Sequence, residues 1–383
     1  MPHYNKKMIS FFLTTKCNLC CRYCYNSKER SRIKEYFLPL EIAKAGIDWY
    51  FLQSESRHIR FYGPGEPTQA FGSMVNITEY AKFSRNGGDR VTVEIQTNGV
   101  FNSEAREWLL NNANIIWISF DGMPEIQDYY RPLNPIYYSH FSSDRTSEII
   151  DGNVKWLIDN TASQKLMVGA RATITNKNLH MQKEMVDYFE SIGIRNIWTD
   201  PIFYAVDDKP VNDNSEKRGT IQFDINTYVD NYVAAYKYAK SKGMFYGSFL
   251  AVNFDGESCY HCRSCSPLSA PHLTPDGYIS ACDMIVLGRN AFHMDPFIVG
   301  KWNDSSRNFD IYQDKVEALG NRKSTNMQHC AVCPVKLHCG GYCLGEVQNE
   351  TGDYYSQIPE KCNAIKRLFN LVGNGYSYEY MHP

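Results

Sequence analysis

The 383-residue chain has no excess of charge of either sign: 40 Lys and Arg stand against 42 Asp and Glu, for a formal net charge of -2. That balance excludes a global field able to gather nucleic acid or an anionic membrane surface, so partners must be recognised locally. Long apolar runs are missing as well, and no stretch reaches the length of a membrane helix. The apolar run at Met8–Leu13 is shorter than a signal peptide's core, and Thr15 and Lys16 are poor residues before a cleavage site. The compact cysteine framework of a small secreted domain is also lacking. The thirteen cysteines lie in a large chain at metal-ligand spacings, which implies a reduced, cytoplasmic setting.

What is present suits an enzyme of more than one domain. A length of 383 residues exceeds what one hydrophobic core usually supports, and 43% hydrophobic content gives ample material to bury. Short β-rich runs at Ile9–Leu13, Ile59–Tyr62, Val91–Gln96, Ile115–Phe120, Met167–Thr175 and Ile194–Thr199 alternate with helical patterns. Those patterns fall near Leu40–Leu52, Met74–Phe83, Ser103–Leu110, Ser147–Asp159 and Met181–Ile192. Such alternation predicts six βα units, an α/β fold with parallel strands. The composition changes beyond a long helical stretch at Asp224–Lys242, which places a domain boundary near 235: a first domain over 1–235 and a cysteine-rich second over 236–383.

Directly after the first strand come Cys17, Cys21 and Cys24, a C-x3-C-x2-C run, with Cys20 out of register. Iron–sulfur cubes normally take four Cys ligands, so a triplet with no fourth Cys nearby implies an iron left open to bind something other than protein. The run resembles the three-cysteine loop of the radical S-adenosylmethionine (SAM) enzymes, whose open iron chelates the amino and carboxylate groups of SAM. The resemblance implies their partial (β/α)6 barrel, matching the six βα units, with active groups at the C-terminal ends of strands. Gly63-Pro64-Gly65-Glu66-Pro67 is similar to the family's G-G-E-P loop, which holds the SAM amino group; glycine permits close backbone approach and Glu66 can accept from an ammonium. Pro64 replaces the first glycine of that loop. Gln96, Asn98, Ser119 and Asp121 lie at the ends of the third and fourth strands, in segments similar to those lining the family's SAM and substrate cavity. Arg171, inside a strand, needs a partner; the SAM carboxylate and an internal salt bridge are both open.

The second half holds Cys259, Cys262, Cys265, Cys282, Cys330, Cys333, Cys339, Cys343 and Cys362. Taken alone, its C-x2-C unit suits structural zinc. Cys265-x11-Gly277-x4-Cys282, then C-x2-C-x5-C-x3-C, then Cys362 resembles the SPASM domain, which carries two auxiliary [4Fe-4S] clusters. By that resemblance Cys259, Cys265, Cys282 and Cys343 hold the first, with Cys262 able to stand in for Cys259. Cys330, Cys333, Cys339 and Cys362 hold the second. The first auxiliary cluster can also carry an open iron, as in some relatives. Three clusters and SAM are therefore the expected cofactors.

The resemblance implies a 5'-deoxyadenosyl radical that takes hydrogen from the substrate, with auxiliary clusters suited to removing a second electron. Asp283 is placed like an acidic residue proposed as the base in sulfatase-maturating enzymes. SPASM relatives mostly modify peptides or proteins, so the expected function is oxidative modification or crosslinking of a ribosomally made polypeptide, served by an electron donor such as flavodoxin or ferredoxin. About eight residues precede the first strand, which leaves recognition to the cavity itself or to a separate leader-binding protein. Tyr129, Tyr130, Tyr137 and Tyr138 offer aromatics for a peptide groove. Gln127 stands where the sulfatase-maturating relatives have His, and with Pro64 and Tyr25-Asn26 it departs from that subgroup. The alternatives are oxidation of a small molecule, and an iron–sulfur or zinc protein that transfers electrons or binds.

Overall fold

The computed structural model describes residues 7–26, 33–84, 91–161, 166–203, 223–251, 254 and 268–373. The expected parallel strands form in order: β1 (Ile9–Phe12), β2 (His58–Tyr62), β3 (Thr92–Thr97), β4 (Ile115–Ser119), β5 (Met167–Ile174), β6 (Asn196–Pro201) and a further short strand, β7 (Phe245–Gly247). Each pairs in parallel with its chain neighbour, as strands do when helices carry the crossovers. The crossovers contain α1 (Leu40–Gln53), α2 (Phe71–Phe83), α3 (Ser103–Asn112), α4 (Pro124–Tyr130) with α5 (Thr146–Asn160), α6 (Gln182–Ser191) and α7 (Ile225–Ser241). Side-chain caps fix two of these starts: Asn102 accepts from Ala105 N and Asp224 from Thr227 N.

The sheet does not end at β1. A two-residue strand, β8 (His272–Leu273), adds in parallel to its free edge, and β9 (Tyr278–Ser280), β10 (Ile298–Asn303) and β11 (Asn308–Ile311) continue antiparallel. The resulting eleven-stranded order is β11-β10-β9-β8-β1-β2-β3-β4-β5-β6-β7. Beyond it lie α8 (Gln313–Asn321), α9 (Lys336–Cys339), α10 (Leu344–Thr351) and α11 (Pro359–Val372). One apolar cluster runs from Ile9 through to Leu368, and α11 packs on α7. Position 235 falls inside α7. Among the described residues, no helix is long and apolar enough to cross a membrane.

Candidate active site

The inward face of the parallel strands opens at their C-terminal ends into a cavity of about 270 Å³. The cysteine loop that follows β1 roofs it and is held by the loops after β2, β3 and β4. Glu66 N donates to Lys16 O at 2.8 Å, Asn18 Nδ2 to Val100 O at 2.8 Å, and Cys20 N to Pro132 O at 2.9 Å. A Cβ on Gly65 would lie 2.3 Å from Lys16 O and 2.5 Å from Thr14 O, so only glycine lets the two loops meet this closely. Cys17, Cys21 and Cys24 are half-buried and all line the cavity, while Cys20 is exposed. Burial pushes the Cys21 thiol up; Arg131 pulls it down, and Cys24 and Cys17 raise it further. Three thiols from one turn, facing one cavity and sensing one another's charge, fit the open-cornered cube. Among the described residues no three His, Cys, Asp or Glu side chains gather tightly enough for a single metal ion; a cube, which puts each thiolate on a different iron, asks for a wider set.

Glu66 is 2% exposed and is held by four donors. Its Oε1 accepts from Thr68 N, Thr68 Oγ1 and Thr97 Oγ1 at 3.1, 2.9 and 2.7 Å, and its Oε2 from Asn98 N at 2.7 Å. Burial raises its pKa while those hydrogen bonds lower it. It therefore ties the β2 and β3 ends together, with Oε2 the less engaged oxygen. Asn98 is also internally bonded, its Nδ2 donating to Asn18 Oδ1 at 2.7 Å and its Oδ1 accepting from Val100 N at 2.9 Å. Gly63, Gly65, Glu66, Gln96, Asn98, Ser119 and Arg171 line the cavity; Pro67 lies just beyond the lining, buried at the start of a 3-10 turn. Arg171 has internal partners: its NH1 donates to Gln96 Oε1 at 2.6 Å and its NH2 lies 3.7 Å from Asp200 Oδ2.

Asp121 is placed differently from the expectation. It is fully buried and accepts from Arg131 Nε and NH2 at 3.0 and 3.2 Å, from Thr173 N at 2.9 Å and from the Tyr23 hydroxyl. A carboxylate so engaged supports the cysteine loop from behind and does not line the cavity. Arg131, unassigned by the sequence reading, does line it. Gln127 is structural: its Oε1 accepts from Asp121 N at 3.0 Å. The four tyrosines available for a groove lie elsewhere, in line with a surface and core role. Tyr130 packs on Tyr23 with ring centres 5.3 Å apart, and none of the four lines the cavity.

The cysteine-rich region supplies the remaining wall. The β8–β9 hairpin turns at Gly277, whose φ of +81° favours glycine, and delivers Cys282 and Asp283 just past β9. Asp283 and Cys343 line the cavity. Opposite stand Tyr25 and Tyr62, their hydroxyls 3.2 Å apart; burial raises both phenols and Asp283 raises them further. Cys282 is buried, and a Cβ on Gly345 would lie 2.6 Å from its Sγ, so the α10 start packs onto this thiol. Cys259, Cys262 and Cys265 lie outside the described residues. The other four cysteines do converge: burial raises Cys330, Cys339 and Cys362, and further raising comes from Cys362 and Cys333 on Cys330, from Cys362 and Cys330 on Cys339, and from Cys333 on Cys362. Arg322, fully buried and absent from the sequence reading, donates to Tyr354 O, Gly340 O and Gly341 O at 2.9, 3.1 and 2.7 Å. It fixes the Cys339–Cys343 turn and sets a cation beside the thiols.

Comparison with known proteins agrees with this architecture. Residues 11–141 match the model of the radical SAM superfamily. An uncharacterized protein of Methanocaldococcus jannaschii is 26% identical over 48% of this chain, and the chain spans only 59% of that relative's length. A serine-type anaerobic sulfatase-maturating enzyme of Klebsiella aerogenes is 23% identical over 85% of this chain and 76% of its own. The solved structure of native anSMEcpe with bound AdoMet and Cp18Cys peptide superposes with a TM-score of 0.68 at 15% identity, covering 95% of this chain and 96% of the other.

Proposed function

We propose that this chain, whose residues 11–141 form a radical SAM domain, is a maturase that oxidises or crosslinks a ribosomally made peptide or protein. The observation that carries the reading is that Cys17, Cys21 and Cys24 share one cavity with Asp283 and Cys343, so a radical-generating centre, a proton acceptor and an auxiliary-cluster ligand all face the same space. When bound, SAM and the first cluster supply, for one electron from a flavodoxin- or ferredoxin-type donor, a 5'-deoxyadenosyl radical that takes one hydrogen atom from the substrate. The rest falls to side chains of this chain. Cys17, Cys21 and Cys24 hold the cluster, while Gly63, Gly65, Glu66 and Pro67, with Gln96, Asn98, Ser119 and Arg171, shape the SAM site.

Net two-electron oxidation then requires loss of one more electron and one proton. Asp283 is the proton acceptor, and Tyr25 and Tyr62 stand beside it. Cys282 and Cys343, with Cys259 and Cys265, would hold the first auxiliary cluster and give the electron its exit; Cys330, Cys333, Cys339 and Cys362 would hold the second. The mutual influence of those thiols, with the Arg322 cation acting on Cys330 and Cys362, supports the second set. A cytoplasmic, reduced location follows from this chemistry. The test is iron and sulfide content of anaerobically reconstituted protein, coupled to detection of 5'-deoxyadenosine with SAM and a strong reductant. About twelve irons per chain with deoxyadenosine formed is the expected result; zinc without SAM cleavage would sink it.

A further inference from the structure

The three strands at the junction of the two halves carry a row of side chains that the radical chemistry does not use. Ser10 on β1 is in register with Arg60 on β2 and also with His272 on β8, so the three residues lie side by side. Residues two apart on a strand share a face, which sets Arg60 one layer beneath Tyr62; its guanidinium carbon is 4.9 Å from that ring's centre. Arg60 and His272 both line the cavity, and Met8 and Ala270 carry the lining one layer lower still. The cavity therefore extends below the layer of Tyr62 and Ser119, down the side where β8 joins β1.

Arg60 is 9% exposed, and its hydrogen-bond partner is a hydroxyl: Nε donates to Ser10 Oγ at 2.9 Å. Among the described residues no carboxylate forms an ion pair with it. Glu94 on β3, in register with Arg60, attracts it, but the nearest contacts of the neighbouring acids are with other groups. Glu94 lies 2.9 Å from His58 Nε2, and Asp200 accepts from Trp198 Nε1 at 2.6 Å and Phe249 N at 2.7 Å. His272 is 2% exposed, stacks on Phe12 at 5.2 Å, and its Nδ1 has no hydrogen-bond partner. Burial and the nearby Arg60 hold this imidazole well below its usual pKa, so it adds no second charge. Glu94, shared with His58, offsets part of the Arg60 charge without closing an ion pair, and the Arg60 guanidinium, which lines the cavity, has a fork geometry that matches a carboxylate.

We propose that Arg60 and His272 form a carboxylate-binding subsite at the foot of the cavity, which positions the substrate peptide through an acidic side chain or its C-terminal carboxylate. The assignment rests on the peptide-modifying reading above and deepens it: the substrate carries an anion at a fixed distance from the carbon that loses hydrogen.

Three probes test it on the full reconstituted protein with SAM saturating: N-acetyl-glutamate α-methylamide, N-acetyl-glutamine with a free α-carboxylate, and neutral N-acetyl-glutamine methylamide. Titration calorimetry should find one acid bound about tenfold or more tightly than the neutral probe, and the preferred acid tells a side chain from a chain terminus. R60Q should abolish that preference, and R60K should keep a weaker one. Equal binding of all three probes, a preference surviving in R60Q, or acid binding that appears only when SAM is omitted would each overturn the subsite. If R60Q does not fold by circular dichroism, R60K and the wild-type comparison of acid with amide still decide the matter. Deoxyadenosine formation on the same wild-type sample is read separately: its absence defeats the radical reading while leaving acid binding measurable.

Discussion

Single residues in this cavity divide into those that face its open space and those that hold its walls. Asp283 faces it, so D283N should lower peptide turnover by about 100-fold, the scale of a lost general base; product formation at the wild-type rate would remove Asp283 from the mechanism. His272 gives a separate signature. Burial holds its folded pKa well below the unfolded value, so its contribution to stability is full above about 6.5 and is lost progressively as pH falls from there toward the lower folded pKa. Urea midpoints measured from pH 8 to pH 5 should decline for the wild type and decline less for H272Q. The cysteine groups stood out by their spacing and Glu66 by the resemblance of its Gly63–Pro67 loop, because both signals are local in the chain. Asp121 was not: its buried pairing with Arg131 and Tyr23 depends on contacts about 10 and 98 residues away in the chain, and no local pattern encodes them. Arg322 escaped notice for the same reason.

At the level of elements, six strands and six helices followed from apolar periodicity to within a few residues, since each βα unit is long enough to show its period. The two-residue β8 and the three-residue β7 and β9 are too short to carry one, and pairing partners alone define them. The loops are more demanding than the strands they join. Gly65 has backbone oxygens where a Cβ would sit, so G65A should cost about 1–3 kcal/mol of stability and part the Glu66 loop from the cysteine loop. Iron retained per chain and SAM affinity would both drop, by about tenfold or more for SAM, and normal values for both would mean that the loops adjust. α10 meets a similar constraint at Gly345 against Cys282.

Across the whole molecule, the proposed reading gives the two cysteine groups distinct duties although one apolar core joins the halves that contain them. With Cys24 in its proposed place as a ligand of the radical-generating centre, C24A should abolish deoxyadenosine formation. C339A should retain some, with iron falling by about four atoms per chain. Equal and total loss in both variants, with the fold intact by circular dichroism, would contradict this division of labour. The general architecture was readable in the sequence because two cysteine spacings and a βα rhythm are independent signals that agree. How the second half attaches was not, since two residues of β8 decide it. That attachment also governs how the chain is made. β1 leaves the ribosome well before the strand that completes its outer edge, which follows about 260 residues later. Until then, unpaired main-chain groups and the nearby apolar surface stay open to wrong partners, so nascent chains should fold late, slowly and with a need for chaperone protection.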